Sequence, residues 1–370
     1  MNFIFLSILV LLISIPCLIL GNNFRSSVKL ISSISFFFLI LESTFLIIEN
    51  INKTSIHHIY EYSSDFRKND HRLGYAIKEN SEVNASLYIK KDNKIIYCYK
   101  DKTYTSDSKG RRVSIKDEYN ASKHAIFFGG SFLFGNGLSN DETLPSSFQF
   151  TSNHKFKAYN YGQSGHCASH MLIKLKNPDL FDDIKEKNGF AIYIFIKGHL
   201  KRSSGYYTYI KHYPWYPIFG FEKEQLTGPH YWLSGKHKYK THLKLRQLAE
   251  KHSYTGSYLT NNILDTCLNS QQQIDSNIQI ITNAKTNYNQ IFPNNPLIVV
   301  NWPRSGIFGD LKSYFENKLE EKDIHFFTPK PLSNSEKSKV HEFDDHPSKF
   351  EVQWVSKQLH EFIDGFPHSK

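Results

Sequence analysis

The sequence predicts an α/β domain with a mainly parallel sheet, preceded by two membrane-spanning helices. Three observations carry this reading. Short apolar runs recur between residues 124 and 329, segments with helical patterning lie between them, and two long apolar stretches occupy the first 50 residues. Apolar strands alternating with helices are the signature of a parallel sheet covered by helices.

The membrane part comes first. Residues 3–21 carry no charge and match the about 20 residues that a spanning helix needs. A second stretch, 30–48, is interrupted only by Glu42. The loop between them holds Arg25 and Lys29, and the positive-inside bias places such a loop in the cytoplasm. Both chain ends then face outward, and the large domain is periplasmic or otherwise extracytoplasmic. Two other readings stay open. The first stretch could be a cleaved signal peptide, although it lacks a basic leading region and a small-x-small cleavage site. The topology could be inverted, because two charges are a thin signal. Pro16 makes the sequence before Cys17 a poor lipid-attachment signal. Glu42 reads as a carboxylate near a helix kink or satisfied against the first helix, with an intramembrane functional role as the alternative.

Residues 51–120 form a β-rich lead-in that is not an independent domain. Alternating runs at 85–90 and 94–99, with a turn at Asp92-Asn93, read as paired strands. The α/β domain spans 121–366. Its strands are expected at 124–128, 156–161, 189–196, 296–302 and 323–329. Helices are expected at 143–152, 166–177, 241–252, 258–291, 308–320 and 349–364. Residues 201–235 break this rhythm with a dense run of Tyr, Trp, Phe, Pro and Gly. They read as an insertion whose aromatics pack against the domain, or form a sugar-stacking platform or an apolar lid.

The formal net charge is +10, but the basic residues are scattered. That pattern fits a solvated surface favouring anionic glycan or lipid. It lacks the clustered stripe and the module of a nucleic-acid binder. The four cysteines, Cys17, Cys98, Cys167 and Cys267, show no CxxC spacing, which argues against a zinc ribbon or a thioredoxin-like site. One disulfide among the last three is open, with unpaired buried thiols as the safer reading. His166 and His170 stand at i, i+4, a zinc-chelating spacing, but no Glu follows His166 and no third ligand is evident. No metal or organic cofactor is expected.

Three segments carry chemistry. The first sheet strand runs into Gly129-Gly130-Ser131, where the glycines turn the chain sharply and leave the hydroxyl uncovered. The Ser131 N–H is aimed at a developing oxyanion. The second segment, Asp344-Asp345-His346-Pro347, offers a base for that hydroxyl and an acid to orient the base. The competing reading makes Asp344 or Asp345 a cap of the final helix. The third, Asn160-Tyr161-Gly162, follows the second strand, and Gly162 could present a bare N–H to a substrate oxygen.

In this order, the segments resemble the SGNH/GDSL hydrolase superfamily. The run GGSFLFGNGLSNDETLP (129–145) is similar to the GDSF-x-x-G-x-G form of bacterial cell-envelope members. RLGY (72–75) and TYTSDSKGRR (103–112) resemble their lead-in, and DDHPSKFEVQWVSKQL (344–359) their Asp-x-His-Pro segment and closing helix. The likeness covers about residues 70–365. It implies a three-layer α/β/α, flavodoxin-like domain with Ser131 as nucleophile, His346 as base and Asp344 as its orienting acid. It further implies that Gly162 joins the oxyanion hole and that the substrate is an acylated envelope glycan. Two positions depart from the pattern. The aspartate before the nucleophile is Gly130, and the third-block asparagine is not evident. His199 stands near that asparagine's place and reads either as a donor to oxyanion or substrate or as a satisfied surface histidine. Asn160 is another candidate donor. The implied activity is that of an esterase, a deacylase or an O-acyltransferase. A catalytically weak domain that binds polysaccharide or scaffolds an export complex is the alternative.

Overall fold

A computed structural model describes residues 25–52, 58–91, 94–114, 120–204, 213, 215–222, 225–231, 248–249, 251–258 and 270–366. The chain divides into two compact units. One is Met1–Ile56 with Ser234–Leu268, and the other is His57–Leu233 with Asn269–Lys370.

In chain order the described elements are α1 (Arg25–Asn52), β1 (His58–Tyr62), β2 (Arg67–Asp70), β3 (Gly74–Ile77), β4 (Glu82–Lys91), β5 (Lys94–Thr105) and β6 (Lys123–Gly129). Then come α2 (Ser131–Phe134), α3 (Leu144–Thr151), β7 (Phe156–Asn160), α4 (Ala168–Leu175), β8 (Asn188–Phe195), α5 (Gly198–Ser203), β9 (Ile218–Glu222) and β10 (Gln225–His230). The remainder are α6 (Tyr254–Tyr258), α7 (Ser270–Ile291), β11 (Leu297–Asn301), α8 (Asp310–Glu320), β12 (His325–Phe327), β13 (Lys339–His341), β14 (Asp344–Pro347) and α9 (Lys349–Asp364).

The smaller unit contributes α1 and α6. Glu42 on α1 is buried and accepts hydrogen bonds from Ser253 Oγ, Tyr254 N (2.7 Å) and Thr255 N (3.4 Å). It therefore caps the start of α6 and is not paired with a preceding helix. The first apolar stretch lies outside the described residues. Among the described residues no helix is long and apolar enough to cross a membrane, so the expectation of two spanning helices finds no support here.

The larger unit is built on a five-stranded sheet in the order β12-β11-β8-β6-β7. Every pairing in it is parallel. Both faces are covered, which is why the strands read as nearly unbroken apolar runs. Side chains alternate between the two faces. Ile126, Phe128, Tyr193, Phe195 and Val299 join Leu172 of α4, Ile281 of α7 and Phe315 of α8 in one core. Phe127, Ile192, Ile194 and Val300 join Phe148 of α3 and Val355 and Leu359 of α9 in the other. The result is three layers, α/β/α. All five expected sheet strands are present. The expected helix at 241–252 falls almost wholly outside the described residues, as do the first residues of the one at 258–291.

The lead-in forms an antiparallel sheet, β1-β4-β5, and a β2-β3 hairpin. Its core of Phe66, Val83, Leu87, Ile89 and Tyr104 is completed by Phe134 of α2. Tyr104 OH also accepts from Gly137 N at 2.8 Å. The lead-in thus packs directly on the turn that follows Ser131. Much of the aromatic insertion lies outside the described residues; its described part includes the β9-β10 hairpin. Cys98 and Cys167 are buried free thiols.

Candidate active site

The site lies at the carboxyl end of β6, where the strand order reverses. The chain runs from β6 to β7 on one side and then crosses to β8 on the other. In an open α/β sheet, ligands bind in the crevice outside such a switch point. Ser131 stands there as the first residue of α2, so its N–H lies outside the helical ladder. Its carbonyl accepts from Gly135 N (2.9 Å) and Asn136 N (3.2 Å), which closes the turn. Buried Arg112 clamps that turn from below by donating to Phe134 O (2.7 Å), Gly135 O (2.6 Å) and Leu138 O (2.5 Å). Burial pushes the Arg112 guanidinium down to about 10, which leaves it charged at neutral pH.

A cleft of about 390 Å³ opens over this turn, lined by Ser131, Asn136, Ser164, Gly165 and His346 among others. Asp344 and His346 arrive on β14, which pairs with β13. Two residues apart on a strand, their side chains share a face. His346 Nδ1 donates to Asp344 Oδ1 at 2.6 Å, and the same oxygen accepts from His346 N at 3.3 Å. This bond fixes the tautomer and leaves the lone pair on Nε2. The Phe132 ring meets the His346 ring edge-on at 5.5 Å. Ser348, and neither aspartate, caps α9 by accepting from Glu351 N. Asp344 is therefore free to serve His346.

The structure brings Ser131 and His346 into one cleft, but among the described residues no hydrogen bond joins them. His346 Nε2 instead lies 3.5 Å from Asn136 Nδ2, whose Oδ1 accepts from Ser164 Oγ at 2.8 Å. Asn136 was not singled out from sequence. Its signal was the Gly135-Asn136-Gly137 run directly after the nucleophile helix.

Three expected donors sit elsewhere. Gly162 N already donates to Asn160 Oδ1 at 2.9 Å, so it has no proton left for a substrate oxygen. A β-carbon there would lie 2.7 Å from Leu133 Cγ, which makes Gly162 a packing glycine under α2. Asn160 is spent on Gly162 and on Leu133 O, 3.3 Å from its Nδ2, and braces β7 against that helix. His199 is fully buried, neither in the cleft nor on the surface. Its Nδ1 pairs with Tyr193 OH at 2.8 Å, and burial and Arg202 hold its pKa well below the ordinary imidazole range.

The glycine that faces the cleft is Gly165, three residues beyond Gly162. It has φ of +84°.

His166 and His170 stack ring on ring, 3.9 Å between centroids. His166 Nε2 reaches Tyr75 O at 3.3 Å and His170 Nδ1 accepts from Cys167 N at 3.2 Å. Among the described residues no group of metal-ligating side chains is assembled.

No family model matches this chain, and no curated protein matches it. Solved structures do. A structure assigned to the G-D-S-L lipolytic family, from Desulfitobacterium hafniense DCB-2, is 15% identical over 64% of this chain and 98% of its own, with a TM-score of 0.33. An acetyl xylan esterase from the rumen bacterium Butyrivibrio proteoclasticus is 10% identical over 83% of each chain, with a TM-score of 0.39. A carbohydrate acetylesterase from Sinorhizobium meliloti is 9% identical over 65% of this chain and 98% of its own, with a TM-score of 0.33.

Proposed function

We propose that this chain is a serine esterase or O-acyltransferase of the SGNH/GDSL type acting on acyl esters of a cell-envelope glycan. The observation that carries the reading is the 2.6 Å bond between His346 Nδ1 and Asp344 Oδ1, with Ser131 and His346 lining one cleft. In the proposed reaction Ser131 Oγ attacks the acyl carbonyl while His346 Nε2 takes its proton. Asp344 holds the imidazole and stabilises the imidazolium that forms. The tetrahedral oxyanion receives hydrogen bonds from Ser131 N, Gly165 N and Asn136 Nδ2. Collapse returns the proton to the departing sugar oxygen and leaves an acyl-serine. Water then releases the acid, or a second hydroxyl takes the acyl group.

The Ser131 and His346 side chains must approach for this to happen, and catalytic hydrogen bonds often tighten only when substrate is bound. The 3.5 Å contact of His346 Nε2 with Asn136 also favours a second reading, a catalytically weak domain that binds polysaccharide or scaffolds an export complex. A fluorophosphonate probe separates the two. Labelling at Ser131, lost in Ser131→Ala and weakened in His346→Ala, supports the enzyme. A protein that retains glycan but never labels supports the binding module.

In the same reading the chain is anchored through residues 3–21 and 30–48, with its large domain outside the cytoplasm. Support comes from the apolar character of both stretches and from Ile34, Phe36, Phe37, Phe38, Ile40 and Ile47, which α1 leaves exposed. A reporter fused after Lys370 tests the orientation; activity only for a cytosolic reporter overturns it.

A further inference from the structure

Arg67 of β2 brings a positive charge to the cleft over Ser131. Arg67 of β2 and Arg202 of α5 both line it, and no aspartate or glutamate does among the described residues. Asp344 bonds to His346 and is committed to it. Arg67 is exposed, and no carboxylate lies within ion-pair distance of it among the described residues. Two other arginines show what a structural guanidinium looks like in this fold. Arg111 pairs with Asp107 at 2.6 Å and Asp183 at 2.5 Å, and Arg304 pairs with Glu351 at 2.7 Å. Arg67 has aromatic neighbours instead. Its guanidinium carbon is 5.9 Å from the Tyr62 ring centre and 5.3 Å from that of Tyr75. Contact with ring faces and a hydrogen bond to the Tyr62 side chain orient the planar group, which carries five N–H donors in all.

A held guanidinium that no carboxylate pairs with suits a planar anion, which such a group binds through two parallel hydrogen bonds. The tyrosines around it, Tyr60, Tyr62 and Tyr75, supply flat apolar faces of the kind on which sugar rings stack. The geometry points to an ester substrate whose glycan carries an anionic group, a carboxylate or a phosphate, close to the acylated hydroxyl, with Arg67 as the residue that selects it. This deepens the esterase reading and rests on it for the position of the ester. The anion subsite is also a binding property with its own readout.

The test uses the full-length protein in detergent and three acetylated oligosaccharides matched in length: one neutral, one containing a uronic acid and one carrying a phosphate. The ratio of KM for the neutral ester to KM for an anionic one is measured for the native protein, Arg67→Gln and Arg67→Lys. The expected result is a preference for one of the anionic esters, which also identifies the anion. Arg67→Gln should reduce that preference about tenfold, the scale of one charge-assisted hydrogen bond, with kcat moving far less than KM. Arg67→Lys should restore part of it, and added salt should erode it. Calorimetry on Ser131→Ala with the corresponding deacetylated acidic oligosaccharide reports the subsite without turnover, so loss of esterase activity and loss of anion binding are read apart. A KM ratio that Arg67→Gln leaves unchanged, or equal affinity of Ser131→Ala for neutral and acidic oligosaccharides, overturns the proposal.

Discussion

His199 Nε2 lies 2.9 Å from the point where a β-carbon on Gly130 would stand. The carbonyl of His166 lies 3.0 Å from the same point. The residue before the nucleophile is therefore glycine because the space for a side chain is already filled. Restoring the aspartate by Gly130→Asp should destabilise the fold by about 1–3 kcal/mol through overpacking and lower probe labelling at Ser131. His199→Gly should recover part of both losses in the double variant. Thermal unfolding and labelling rates check this, and additive effects would separate the two positions.

Asp344 accepts the hydrogen bond from His346 Nδ1, and the proposed mechanism has it orient that ring. Asp344→Asn keeps the shape but favours the wrong imidazole tautomer. It should lower kcat by about 10⁴, the scale measured for such a change in a Ser-His-Asp protease. KM and melting temperature should change little. A loss below about tenfold would show that His346 is not held through this bond.

Gly165 and Gly162 make opposite predictions. At Gly165 a methyl group strains a backbone at φ +84° and shifts the amide proposed as an oxyanion donor. Gly165→Ala should therefore lower kcat by about 10²–10³, the scale of one lost oxyanion donor, with a modest effect on stability. Gly162→Ala places a β-carbon 2.7 Å from Leu133 Cγ and 2.8 Å from Phe134 N. It should reduce stability first and activity only as a consequence. Parallel melting curves and kcat values for the two variants distinguish them.

Acid should weaken the fold before it reaches the carboxylates. His124 bridges Glu186 O (2.8 Å) and Tyr288 OH (2.6 Å) in the core, and burial pushes it down to about 4. The unfolded chain takes up a proton at this residue near pH 6.5 and the folded chain only near 4. Its contribution is therefore complete above about 6.5 and is lost as pH falls toward 4, by up to about 3 kcal/mol. Buried His166, His170 and His199 are lowered in the same direction. Denaturant titrations between pH 7 and 4.5 should show a falling midpoint, with a shallower slope in His124→Gln.

The sheet was legible because its signal is local. The run from Gly189 to Ile196 is apolar at nearly every position, and only a strand covered on both faces needs that. Ser131 and the Asp344–His346 pair were also legible, since each depends on residue type and close spacing. The details that failed were long-range. Gly162 and Gly165 look alike in sequence, and only the reach of the Asn160 side chain shows that the Gly162 N–H is already taken. His199 read as either a site donor or a surface histidine because it follows a strand, yet Tyr193 of β8, six residues back, draws it inward. A sugar-stacking platform was one reading of 201–235, beside packing against the domain. Tyr60, Tyr62 and Tyr75 of the lead-in instead stand in the cleft alongside Tyr213 of the insertion. No spacing rule connects residue 60 to residue 131.

The lead-in strands have a consequence for how this protein can diversify. In the proposed reading the reaction chemistry sits on the parallel sheet and on β14, while one wall of the cleft sits on β1, β2 and β3, more than 50 residues upstream of Ser131. Recognition and reactivity are thus inherited on separate stretches of chain. Exchanging residues 58–77 between relatives should retarget the enzyme while the acyl-transfer apparatus stays as it is, and a fragment starting at residue 120 should be left with a reactive serine and no preference.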